Sequence, residues 1–159
     1  MEIHISTEST FGSLAIGIED NAVVLIKAVT RNTNQKNTPD DPLAAKVAEE
    51  LHEYFMGRRK KFTIPLKMNG TAFQVRVWNE LMNIPYGSIA TYGEIATLIG
   101  KPGAARAVGM ACNHNPLLIV VPCHRVVGKD GNLTGYVAGV ERKRMLLELE
   151  RYTNEMMAL

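Results

Sequence analysis

The apolar positions change their period part-way along the chain. In the first part they run in short aliphatic blocks. Leu14-Ala-Ile-Gly-Ile-Glu19 and Ala22-Val-Val-Leu-Ile-Lys27 are strand-like, and Asp20-Asn21 between them is a turn signal. Two strands of a short antiparallel sheet are therefore expected. Residues 31–42 are polar, carry two prolines and read as an exposed loop. From Leu43 to Phe55 the spacing becomes helical, with Leu43, Val47, Leu51 and Tyr54 on one face and Gly57 as the stop. Phe62 to Leu66 reads as a short extended piece.

The second part is mostly helical. Phe73, Val77, Trp78 and Leu81 recur at helical spacing between Thr71 and Met82, and Thr71 sits where an N-cap is wanted. Pro85-Tyr86-Gly87 is a turn. A short helix over Tyr92–Ile99, a break at Gly100-Lys-Pro-Gly103 and an alanine-rich helix over Ala104–Asn113 form a helix-turn-helix candidate. Leu117 to Val121 reads as a buried strand, Gly128 to Gly139 as a glycine-rich loop, and Val140 to Tyr152 as a charged helix. There is no internal repeat or low-complexity segment.

Composition narrows the class. The chain has 159 residues, 46% of them apolar, enough for a real core in one domain or two small ones. No apolar run reaches membrane length, and the start Met1-Glu2-Ile3-His4 lacks a signal pattern, so no membrane partner and a cytoplasmic location are expected. Two cysteines, Cys112 and Cys123, are no disulfide scaffold; in a reducing compartment one of them is available for chemistry. The net charge of +2 says little about partners. Its distribution says slightly more: residues 76–129 hold five basic side chains against two acidic ones, a patch that suits a small phosphate footprint or an ordinary surface.

Cys123 stands in Pro122-Cys-His-Arg-Val126, directly after the apolar run. A thiol becomes a nucleophile when a base or a positive charge supports its thiolate. His124 and Arg125 are adjacent, but in an extended chain neighbours point to opposite faces. His124 would assist only after a turn or through a bridging water. The plain alternative is a buried cysteine beside an unrelated histidine. A zinc site would need four ligands, and His4, His52, His114 and Cys112 show no ligand spacing. Arg106, among the small residues Ala105 and Gly109, would let a helix approach DNA closely in the minor groove; an exposed arginine on a good helix is the bland reading. Tyr92 opens the first helix of the pair, where its hydroxyl would reach a base or phosphate, or simply water. Asn115-Pro116 ends the second helix.

These segments together resemble the O6-alkylguanine-DNA alkyltransferases, also called methylated-DNA–protein-cysteine methyltransferases. The blocks are Gly70-Thr-Ala-Phe-Gln-Val-Arg-Val-Trp78, Ile84-Pro-Tyr-Gly-Ser88, Thr91-Tyr-Gly-Glu-Ile-Ala96, Ala104-Ala-Arg-Ala-Val-Gly109, Asn115-Pro116, Val121-Pro-Cys-His-Arg-Val126 and Gly135-Tyr136, in order and without a gap from Gly70 to Glu150. The first 65 residues match only in outline, through Glu53-Tyr-Phe-Met-Gly57 and the strand pattern. The resemblance implies an α+β protein: a small N-terminal α/β, ribonuclease-H-like domain over 1–66, and a C-terminal domain over 67–159 with a winged helix-turn-helix.

It also implies roles. Cys123 would accept the alkyl group from O6-alkylguanine in DNA, once and irreversibly, with a minor activity on O4-alkylthymine. His124 would act as base through a water, oriented by Glu150. Arg106 would fill the gap left by the flipped guanine, with Ala105 and Gly109 beside it. Tyr92 would turn the 3′ phosphate and donate to ring N3. Asn115 would tie the recognition helix to the cysteine segment. Tyr136, Val137, Leu118 and Val126 would line the pocket, with the Val137 N–H facing O6. No cofactor or metal is required. The partner would be double-stranded DNA, bound through the minor groove with low sequence preference by a monomer. Departures exist: Val137-Ala138 after Tyr136 is bulkier than in many relatives, Leu118 stands where some have proline, and Leu149 where histidine is common. The zinc ligands that some relatives carry are missing from residues 1–69.

Other classes predict different behaviour. A lesion-binding protein of the same fold would lack the cysteine. A transcriptional regulator would prefer one sequence and has no need of Pro-Cys-His-Arg. A cysteine hydrolase would turn over.

Overall fold

In the computed structural model, which describes residues 1–8, 11–30 and 41–159, Asp20 and Asn21 both take positive φ, 52° and 59°. That is the geometry of a two-residue hairpin turn whose twist matches its strands, and Asn and Asp tolerate it. The turn joins β2 (Gly12–Glu19) to β3 (Ala22–Val29). A further strand, β1 (Glu2–Glu8), pairs antiparallel with β2, giving a sheet in the order β1-β2-β3. β1 was not singled out from the sequence.

The described residues fall into two compact units. The first comprises Met1–Met68 with Pro116–Leu118, so a short later segment joins the N-terminal residues; the second comprises Asn69–Asn115 and Ile119–Leu159. In the first unit β3 carries two parallel bridges, Val23 to Leu66 and Ile26 to Leu117. Helix α1 (Pro42–Phe55) starts where the Asp41 side chain accepts from the Ala44 N–H at 2.9 Å. It ends before Gly57, whose φ of +72° suits glycine. Its face of Val47, Leu51 and Tyr54 is fully buried, as are Leu14, Ile16 and Ile26 of the sheet. Each such side chain contributes roughly 1.5–3 kcal/mol by leaving water. Of the expected loop 31–42, residues 31–40 lie outside the described residues, and Asp41 and Pro42 belong to the start of α1.

The second unit is helical. Helix α2 (Ala72–Leu81) opens on a reciprocal capping box between Thr71 and Gln74. Helices α3 (Tyr92–Leu98) and α4 (Ala105–Asn113) are the expected pair, and Thr91 caps α3. The Trp78 indole donates to Ala111 O at 2.8 Å and ties α2 to α4. Two short strands, β4 (Ala90–Thr91) and β5 (Val126–Val127), pair in parallel. Helix α5 (Val140–Met157) runs beyond the expected end at Tyr152. Among the described residues no helix is long and apolar enough to cross a membrane.

One expectation is overturned. Leu117–Val121 is not a strand. Only Leu117 bridges; residues 118–120 turn, and Ile119 takes φ +72°. A turn buried on every side shows the same unbroken apolar run as a buried strand, so periodicity could not separate them.

Candidate active site

Proline 122 leads directly into a single turn of 3-10 helix, Cys123–Arg125. Proline donates no hydrogen bond, but its carbonyl accepts from the Arg125 N–H at 2.9 Å and closes the turn. Cys123 therefore opens a helical turn rather than ending a strand. Successive side chains on such a turn diverge by about 120° instead of facing opposite ways. The geometric objection to His124 serving its neighbour is thereby relaxed. Asn115 holds this turn from two residues beyond α4: its amide donates to Val121 O at 2.9 Å and lies 3.1 Å from Cys123 Sγ.

Behind the cysteine lies a buried ion cluster. Glu150 of α5 is fully buried and receives four donors. His124 Nε2 is 2.6 Å from Oε2, Arg125 donates from Nε at 2.8 Å and from its terminal nitrogen at 3.1 Å, and the Gly87 N–H donates at 3.0 Å. Gly87 has φ +81°, and a Cβ there would collide with the Asn154 amide, so only glycine brings its N–H to this carboxylate. Burial alone would raise the Glu150 pKa. The hydrogen bond from His124, and then the hydrogen bonds and charge of Arg125, outweigh it and hold the carboxyl far below its ordinary range.

An ionised carboxylate only accepts, so His124 Nε2 must carry a proton. Burial, opposed by Glu150, lowers the His124 pKa below its ordinary 6.5 and keeps the ring neutral. The neutral tautomer then leaves Nδ1 as a bare acceptor. Nδ1 is buried and has no protein partner among the described residues.

Cys123 is 2% exposed. Burial pushes its thiol up to about 11, against the Asn115 hydrogen bond and the charge of Lys143, which pull it down. Four units above neutral pH correspond to about 5 kcal/mol for making the thiolate unaided. A thiol in this position needs a base.

Lys143 was missed from the sequence. It is wholly buried, and its ammonium lies 3.3–3.4 Å from Tyr92 Oη, Thr134 O and Gly135 O. With Leu146, Glu150 and Thr153 it forms the buried face of α5. The helical spacing of these four is visible in the sequence, but nothing local marks Lys143 as buried.

The remaining candidates fall in several places. Tyr92 donates to Thr134 O at 3.1 Å. Together with Ala105 and the exposed Arg106 it lines a concavity of about 530 Å³ that also includes Lys129. The same three residues and Gly109 border a second concavity of about 300 Å³. Tyr136 is half-buried, and its buried hydroxyl has no partner among the described residues; Val137 is 51% exposed. Val126 is buried in β5. Leu118 is buried in the first unit, where its N–H donates to Ile26 O at 3.0 Å.

Comparison with known proteins agrees with this arrangement. The DNA-binding domain of 6-O-methylguanine DNA methyltransferase matches residues 72–152, and the ribonuclease-like domain of the same family matches residues 3–68. The methylated-DNA–protein-cysteine methyltransferase of Mycobacterium tuberculosis is 44% identical over 153 residues, 94% of this chain and 93% of the relative. The constitutive enzyme of that name from Bacillus subtilis is 41% identical over 162 residues, 95% and 96% of the two chains. The crystal structure of Mycobacterium tuberculosis OGT in complex with DNA superposes with a TM-score of 0.86 at 42% identity, covering 96% of this chain and 94% of that one. With both domains matched and relatives this similar along nearly their whole length, the chain belongs to the methylated-DNA–protein-cysteine methyltransferase family.

Proposed function

We propose that Cys123 is the alkyl acceptor of a DNA-repair protein that takes a methyl group from O6-methylguanine in duplex DNA, once per molecule. The observation that carries the reading is the buried thiol beside a neutral histidine whose free Nδ1 is enforced by a carboxylate on the other side of the ring. The thiol proton passes through a water to Nδ1. The thiolate attacks the alkyl carbon, a C–S bond forms and the C–O6 bond breaks. The bonding pair leaves with guanine, and the Tyr92 hydroxyl donates to ring N3 as that charge builds. The thioether is stable, so the protein is consumed. Holding sulfur and carbon in line inside a dry pocket supplies much of the rate.

The exposed Arg106, with small neighbours Ala105 and Gly109, is suited to enter the minor groove and replace the flipped base. Asn115 fixes the cysteine turn relative to α4. Tyr136, Val137 and Val126 are assigned to the alkyl pocket. The protein acts as a monomer, and a cytoplasmic location keeps the acceptor thiol reduced.

Mass spectrometry after mixing with duplex O6-methylguanine DNA tests the central claim. One methyl group per protein, on the peptide containing Cys123, is expected. Free methanol with unmodified protein would mean hydrolysis instead.

Binding should depend on salt and hardly on sequence, because phosphates supply most of the affinity. With so few basic residues near α4, the slope of log affinity against log salt should correspond to about three to five phosphates. Titrating two unrelated duplexes over a salt series reads both quantities, and a strong preference for one duplex would favour a regulator.

A further inference from the structure

We propose that Arg125 is a positioning residue that sets the basicity of His124: its guanidinium neutralises Glu150, so the carboxylate orients the imidazole without drawing an extra proton onto it. This rests on the reading of His124 as the base.

The geometry is specific. Arg125 is buried and held at three points, by Glu150 Oε1, Glu150 Oε2 and Ile84 O at 2.7 Å, and its guanidinium lies 5.6 Å from the centroid of the Tyr86 ring. Glu150 Oε2 is shared between Arg125 and His124, and Oε1 between Arg125 and the Gly87 N–H. The carboxylate that orients the histidine is thus the one the guanidinium covers.

The consequence follows from counting charge. Glu150 and Arg125 cancel, and a neutral imidazole beside them leaves the buried set uncharged. Without Arg125, a desolvated carboxylate would lie 2.6 Å from an imidazole. The least costly way to neutralise it is a proton on Nδ1, and that proton occupies the lone pair the thiol needs. The other ionisable groups around the ring do not replace Arg125. Cys123, Tyr86 and Tyr136 are all pushed upward by burial and stay neutral. Lys143 of α5 acts in the same direction as Arg125 on the ring, but its ammonium is directed at Tyr92 Oη and the Thr134 and Gly135 carbonyls rather than at Glu150.

The test is the pH profile of single-turnover methyl transfer from duplex DNA, for the unaltered protein, Arg125→Gln and Arg125→Lys. Each variant is first checked for a cooperative melt. In Arg125→Gln the midpoint of the acid limb should move up by about 1–2 pH units, with the rate recovering on the alkaline side. Arg125→Lys keeps the charge and should hold the midpoint within about half a unit, whatever its plateau. A rate lowered by the same factor at every pH in Arg125→Gln, with the midpoint unmoved, would show that the guanidinium only braces the fold. A profile without any acid limb in the unaltered protein would instead remove His124 as the base. Should Arg125→Gln fail to fold, nitrogen NMR of labelled histidine in the unaltered protein decides. A neutral ring at neutral pH with its proton on Nε2 is expected, and an imidazolium there overturns the proposal.

Discussion

Cys123→Ser should take up no measurable methyl group and should still bind duplex DNA. A serine hydroxyl ionises far less readily than a thiol, and the oxyanion is a poor nucleophile toward an alkyl carbon. The fall should be on the order of 10⁶-fold, the scale seen when a covalent nucleophile is removed. Binding should survive because the residues assigned to DNA, Tyr92, Ala105, Arg106 and Gly109, lie on α3 and α4, and Cys123 is 2% exposed. The matched control is Cys112→Ala. Cys112 is also buried, on α4, and its thiol is pushed further up than that of Cys123, first by burial and then by its neighbour Cys123. The proposed reaction gives Cys112 no part, so Cys112→Ala should transfer at the normal rate. Single-turnover transfer of a labelled methyl group measures both. Wild-type transfer by Cys123→Ser, or label found on Cys112, would sink the assignment.

Arg106→Ala should slow transfer from duplex DNA by about 10- to 10³-fold and leave reaction with a free O6-alkylguanine base within a few-fold. Extruding a base costs a few kcal/mol of stacking and pairing, and each 1.4 kcal/mol is tenfold. An arginine in the vacated space recovers part of that cost by stacking and by hydrogen bonds to the orphaned cytosine. A free base is already out of any stack, so the finger has nothing to offset. The structure allows this role: Arg106 is exposed on α4 beside the concavity that Tyr92 and Ala105 share. Variants at Cys123, His124 and Glu150 should fail on both substrates, because they act on the sulfur. The ratio of the duplex rate to the free-base rate separates the two groups. Equal losses on both substrates in Arg106→Ala would mean that this residue supports the fold instead.

The sequence by itself determined those parts in which short-range chemistry decides the backbone. Asp20-Asn21 specifies the hairpin because both residues tolerate positive φ. Thr71 with Gln74 specifies the start of α2 because the cap is closed within four residues. The spacing of Leu43, Val47, Leu51 and Tyr54 specifies α1. The block Val121-Pro-Cys-His-Arg-Val126 named the cysteine and its histidine. Tertiary structure decided what depends on partners far along the chain. The run Leu117–Val121 is a turn because Leu117 bridges Ile26 and the Asn115 amide holds Val121 O, contacts that no local pattern reveals. The two-residue strands β4 and β5 are too short to show a period. Arg125 and Lys143 carry no local sign that they are buried. The first is buried because Glu150, 25 residues away, and Ile84 O, 41 residues away, meet its guanidinium. The second is buried because Tyr92 and two loop carbonyls cage its ammonium. A charge enters a protein interior only when its partners are assembled around it, and that assembly is a property of the folded chain rather than of any segment.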